Sequence, residues 1–228
     1  MKSRKKLVVV SALLLGIISS GCSVSTDETT EARSHNENTE VVEDESDEGS
    51  EAQIDDTTTE SEDYTANMDL ATANAFESGL GYLEFTAFSR EGLIEQLSSS
   101  YGEGFTEEQA ITAVSAIEEY GLVDWNDQAV KSAQSYLDFS AFSRNGLIDQ
   151  LSSEFGEQFT QEQAEYAVTY LENNGLVDWN EQAVKSAQSY LEFSSFSRQG
   201  LIDQLSSEYG EQFTQEQAIY AADQIGLN

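Results

Sequence analysis

Phe142-Ser143-Arg144-Asn145-Gly146-Leu147-Ile148 stands between two near-copies of itself, Phe88-Ser89-Arg90-Glu91-Gly92-Leu93-Ile94 and Phe196-Ser197-Arg198-Gln199-Gly200-Leu201-Ile202, and each step is 54 residues. A fixed period of this size builds a row of small, similar modules rather than one large core around a single catalytic centre. Within the stretch, Ser143 reads as a helix cap whose hydroxyl accepts a backbone N–H. Leu147, Ile148 and Leu151 then make a buried edge on one side of a short helix. Gly146 in the first turn lowers helix propensity, so another backbone or an aromatic ring is expected close by, and Phe142 is placed to staple that end.

Upstream, Ala129, Val130, Ala133, Tyr136 and Leu137 fall on one face of a helix over residues 127–139, with Asn126 as its expected cap. Downstream, a turn through Gly156 leads to Thr160-Gln161-Glu162-Gln163, a capping box in which threonine and glutamine satisfy each other's backbone donors. Thr106 with Gln109 and Thr214 with Gln217 repeat the device. Ala164, Ala167, Val168 and Leu171 line the core side of this third helix, and Asn173-Asn174-Gly175 ends it with glycine in the left-handed position. No segment sustains period-two alternation, and there is no proline. The predicted fold is all-α: a tandem array of three small three-helix, helix-turn-helix-like repeats over residues 67–124, 125–178 and 179–228. Trp125 and Trp179, the only tryptophans, sit at the two junctions. They read as packing residues that fix the angle between modules, against the alternative of a ligand-stacking platform.

The array follows a different kind of sequence. Lys2, Arg4, Lys5 and Lys6 precede an apolar run over residues 7–18 and then Ser19-Ser20-Gly21-Cys22. This pattern marks residues 1–21 as an export signal, with an apolar stretch too short to span a bilayer as a helix. Cys22 is the only cysteine and has no partner for an intrachain disulfide. Its position after Gly21 resembles a lipobox, in which the cysteine is acylated and becomes the new N-terminus, although Ser19 stands where a branched aliphatic residue is usual. Residues 22–66 read as a disordered acidic stalk, because residues 23–63 are dominated by Glu, Asp, Thr, Ser and Asn and contain no aromatic residue. Asp44-x-Ser46-x-Glu48-Gly49 faintly echoes a calcium loop but lacks flanking amphipathic helices, and His35 lacks partners, so both read as solvated surface.

The repeats resemble those of the Ltp family of host cell surface-exposed lipoproteins, found on exported lipoproteins of Gram-positive bacteria and their temperate phages. Tyr136-Leu137, the block from Phe142 through Arg144, Gly146, Leu147 and Ile148 to Leu151, and Thr160-x-Glu162-Gln163-Ala164-x-Tyr166-Ala167 carry the resemblance. It implies a lipid-anchored protein on the outer face of the membrane. For members of phage origin it further implies superinfection exclusion, in which a tail protein such as the tape measure protein is engaged and DNA injection is blocked. This chain has three repeats where two are expected in such proteins.

Charge narrows the function independently. The chain holds 43 acidic and ten basic residues, a formal net charge of −33, and every acidic residue follows Cys22. Such a field repels nucleic acid and anionic headgroups and favours basic protein segments. The third helix of the middle repeat offers Gln161, Glu162, Glu165 and Glu172, with no basic residue for phosphate, so DNA binding is excluded despite the helix-turn-helix pattern. No His, Cys or Lys constellation repeats, so the chain reads as a binding protein, not an enzyme, with no cofactor or metal and with a monomeric array. The candidate contact residues are Arg144, Arg198, Glu162, Glu165, Glu216, Trp125 and Trp179. Each Arg has two readings, as a partner for local carboxylates or as a contact residue. A general envelope spacer or adhesion lipoprotein is the alternative function.

Overall fold

The computed structural model describes residues 64–227. The export signal, Cys22, His35, the calcium-loop echo and nearly all of the stalk lie outside the described residues. Among those described, nine α-helices and no strands fall into three triplets: α1 (Leu70–Phe85), α2 (Arg90–Ser98) and α3 (Glu107–Glu119); α4 (Trp125–Phe139), α5 (Arg144–Ser152) and α6 (Gln161–Asn173); α7 (Trp179–Phe193), α8 (Arg198–Ser206) and α9 (Gln215–Gln224). In each repeat the first and second helices both pack on the third.

The caps explain the boundaries. Ser89, Ser143 and Ser197 accept the N–H of the glycine three residues on, and all three Thr-x-x-Gln boxes close reciprocally. The first helix of the middle repeat differs from the sequence expectation, because it starts at Trp125 and its cap is Asp124, not Asn126. Asp124 Oδ1 accepts from Asn126 N at 2.8 Å and Asp127 N at 3.4 Å. A carboxylate at this place satisfies orphan donors and also opposes the positive end of the helix dipole. Asp69 and Asp178 cap their helices in the same way.

The turn between the second and third helices is dictated by a close approach. A Cβ on Gly156 would lie 2.0 Å from the carbonyl oxygen of Gln150, which accepts the Glu157 N–H at 3.0 Å. Third helices end as the sequence predicts, with Gly175 at φ 63° and Leu176 N–H bonded back to Leu171 O at 2.9 Å. The core of the middle repeat is built from Ala129, Ala133, Leu147, Leu151, Ala164, Val168 and Leu171, all fully buried. Repeat 1 fills the same volume differently: Phe76 replaces Val130, and Gly79 replaces Ala133 beside Ile117.

Repeats meet through the first helix of each successor. Gln128 and Ser132 are buried, whereas the corresponding Asn74 of repeat 1 is exposed and Ser78 is half-buried. Gln128 Oε1 accepts the Phe88 N–H from the preceding repeat at 3.4 Å. The glycine of the opening stretch lies at the next joint, between repeats 2 and 3. A Cβ on Gly146 would meet its own cap, Ser143 Oγ, at 3.1 Å and the Glu211 carbonyl of the next repeat at 3.6 Å.

Candidate functional site

A polar triad recurs inside each repeat. Tyr136 donates its hydroxyl to Glu157 Oε1 and accepts from Gln150 Nε2 at 3.2 Å. Tyr190 does the same with Glu211 at 2.5 Å and Gln204 at 3.1 Å, and Tyr82 with Glu103 at 2.6 Å and Gln96 at 3.1 Å. Burial, then the adjacent carboxylate, pushes the Tyr190 phenol up to about 12 and raises Tyr136 further in the same direction. For Tyr82 the Glu103 hydrogen bond is the leading cause of an upward shift. The triad ties the end of the first helix to the turn after the second. A phenol held in its protonated form stays a hydrogen-bond donor to its carboxylate, which preserves this tie.

The tryptophan junctions bring two of the sequence candidates together. Glu172 Oε1 accepts from Arg144 Nε and from Trp179 Nε1, both at 2.9 Å. The equivalent junction differs: Glu118 pairs with Arg90 at 3.2 Å, and Trp125 Nε1 is buried without a hydrogen-bond partner. Trp125 is 8% exposed and packs into the core of repeat 1, while Trp179 is half-buried against the core of repeat 2. Each ring thus belongs to one repeat by sequence and to its predecessor by packing. A shallow groove of about 470 Å³ runs along the first junction, lined by Glu118, Leu122, Asp124, Trp125 and Gln163.

The remaining candidates stay apart. Arg198 pairs with Asp223, the position held by Ser115 in repeat 1, because Gly226 stands where Glu172 stands in repeat 2. Glu162 and Glu216 are exposed in the first turns of α6 and α9, and Glu165 accepts from Gln161 Nε2 at 2.8 Å. No hydrogen bond or ion pair joins these three acids to either arginine. Among the described residues no group of three or more His, Cys, Asp or Glu side chains is arranged to hold a metal ion, and no helix is long and apolar enough to cross a membrane.

The sequence candidates omit a set of exposed aromatics. Phe85, Phe139 and Phe193 close the first helices with 90%, 71% and 90% of their surface exposed. Tyr101, Phe155 and Tyr209 stand in the turns between the second and third helices, also largely exposed. The available signal was positional: Phe139 lies off the stripe formed by Ala129, Val130, Ala133, Tyr136 and Leu137, yet the same residue returns in every copy.

Comparison with protein families gives a match to the host cell surface-exposed lipoprotein family, Lipoprotein_Ltp, three times over, at residues 71–117, 124–171 and 178–225. These matches cover more than half of the chain, and the chain belongs to that family. The matches to repeats 2 and 3 begin at Asp124 and Asp178, the residues that cap α4 and α7. Searches among curated proteins and among solved structures return no significant match.

Proposed function

We propose that this host cell surface-exposed lipoprotein is a superinfection-exclusion protein: it is lipid-anchored through Cys22 on the outer face of a Gram-positive membrane, and its repeats capture a tail or tape measure protein of an incoming phage before DNA is injected. The observation that carries the reading is charge on a repeated scaffold. From residue 64 onward the chain bears 27 acidic and five basic residues, and three of those five, Arg90, Arg144 and Arg198, are already paired within their own repeats. What faces outward is therefore strongly anionic, which favours basic polypeptide over nucleic acid or anionic lipid. Three copies of one fold offer three similar faces to a single long protein, so weak contacts add as avidity. The role is binding, with no catalytic step and no cofactor.

The test is phage challenge of cells displaying the full lipoprotein. The expected result is normal adsorption with blocked DNA delivery, and unchanged delivery would refute the reading and favour an envelope spacer or adhesion role. Cys22→Ser should release the protein into the medium, whereas full membrane retention would rule out the lipid anchor.

A further inference from the structure

We propose that Phe85, Phe139 and Phe193, each with the exposed aromatic of its neighbouring turn, form three equivalent anchors for a polypeptide segment that carries apolar side chains interleaved with Lys or Arg. The inference rests on the binding role above and names the contact residues and the partner chemistry. Each phenylalanine is the last residue of a first helix, three places after Tyr82, Tyr136 or Tyr190. Each turn aromatic, Tyr101, Phe155 or Tyr209, lies two places before Glu103, Glu157 or Glu211. The Tyr–Glu hydrogen bonds join these two elements in every repeat, so both aromatics stand at the same end of each module.

None of the six belongs to a hydrophobic core cluster. They nevertheless stay aromatic through all three copies, while nearby positions on the first helix do not hold their character. Glu77 becomes Lys131 and Lys185, and Leu80 becomes Gln134 and Gln188. An exposed Phe that contributes nothing to the core gains nothing for folding, and large aromatic side chains with few rotatable bonds are effective anchors at interfaces.

The charge around the anchors selects the partner. Glu84, Asp138 and Glu192 immediately precede the three phenylalanines. At the second joint, Phe193, Tyr190 and Glu211 line a groove of about 240 Å³ with Ser140 and Ala141 of the preceding repeat. Two aromatic rings beside a carboxylate suit a long cationic side chain, its methylenes on the rings and its charge at Glu211. The excess of acidic over basic residues disfavours an anionic membrane as the occupant.

The experiment uses the full chain carrying Cys22→Ser, with a Leu–Lys helical peptide as the probe and a Ser–Lys peptide of equal charge as the control. The Leu–Lys probe should bind more tightly, and Phe→Ser at positions 85, 139 and 193 together should weaken it at least about tenfold while leaving the Ser–Lys affinity unchanged. Phe→Tyr at the same positions should retain the binding, and an unaltered helical circular dichroism spectrum confirms the fold of both variants. Equal Leu–Lys affinity of the Phe→Ser and parent chains would overturn the anchors, and phenylalanine-dependent binding to phosphatidylglycerol vesicles would overturn the choice of a polypeptide partner. In phage challenge of cells displaying the chain with Cys22 intact, Phe→Ser at these positions that still leaves DNA delivery fully blocked removes the anchors and leaves the exclusion role standing. Phenylalanine-dependent probe binding by a chain that never blocks delivery supports the anchors and removes the phage role.

Discussion

Gln158 Nε2 donates to Glu95 Oε2 at 2.8 Å, so a side chain of the second repeat closes on an acid of the first. The bond is repeated one period later, from Gln212 to Asp149 at 2.9 Å. Both glutamines hold left-handed backbone, at φ 59° and 60°, whereas repeat 1 places Gly104 there at φ 71°. A side chain in that region costs about 1–2 kcal/mol. The strain therefore sits where a preceding repeat supplies an acceptor.

Gln158→Gly removes the strain and the bond together. Its unfolding free energy should stay within about 1 kcal/mol of the parent, since the two effects oppose each other. The distribution of distances between spin labels on repeats 1 and 2 should broaden. An unchanged distribution would show that the glutamine does not set the joint.

Gly156→Ala and Gly175→Ala should separate steric from conformational cost. At Gly156 the new Cβ would stand 2.0 Å from a backbone oxygen that cannot yield without opening the turn. We expect a loss of about 3 kcal/mol. Gly175 is left-handed but faces open space, so its substitution should cost only about 1 kcal/mol. Urea denaturation measures both, and a reversed order would contradict the turn geometry.

Most local structure was legible because it is written in short-range chemistry. Ser143, Thr160 with Gln163, and Gly175 each act within a few residues of themselves, and Leu147, Ile148 and Leu151 announce their face by spacing alone. The start of α4 is not legible, because its buried stripe gathers around Ala129 and leaves Asp124 looking like linker. Gln158 carries no left-handed signature, since glutamine is not a turn residue. Pairings such as Tyr136 with Glu157 and Arg144 with Glu172 span 21 and 28 residues, and no periodicity encodes which carboxylate a side chain will choose. The exposed phenylalanines are illegible for a different reason: phenylalanine is a residue of interiors, and only accessible surface shows otherwise.

The shared carboxylate at the second junction predicts unequal effects of two equivalent changes. Glu172→Ala removes the acceptor of both Arg144 and Trp179, and should cost about 1–2 kcal/mol with a shift in tryptophan emission. Glu118→Ala removes an acceptor from Arg90 alone, since Trp125 Nε1 is unpartnered. The Arg90–Glu118 pair is solvent-screened, so the loss should stay below about 1 kcal/mol. Equal losses in chemical denaturation would mean that the tryptophan bond contributes nothing.

Tyr190 makes stability depend on alkaline pH in a defined direction. Its folded phenol is pushed up to about 12 from an ordinary 10.0, first by burial and then by the Glu211 carboxylate that accepts its hydrogen bond. In the unfolded chain the phenol ionises near 10, so between about pH 10 and 12 the unfolded state has lost its proton while the folded state still holds it. The stabilisation is therefore fully present below pH 10 and falls as pH rises toward 12. Tyr136 and Tyr82 are shifted in the same direction, which steepens the fall. Tyr190→Phe cannot donate to Glu211 and should be less stable than the parent by about 1 kcal/mol at neutral pH. Because the variant lacks the ionising group, its deficit should shrink across the same alkaline window, so urea-denaturation stabilities of the two chains converge when plotted against pH. Curves that run parallel instead would mean that the folded environment of Tyr190 does not hold the phenol in its protonated form.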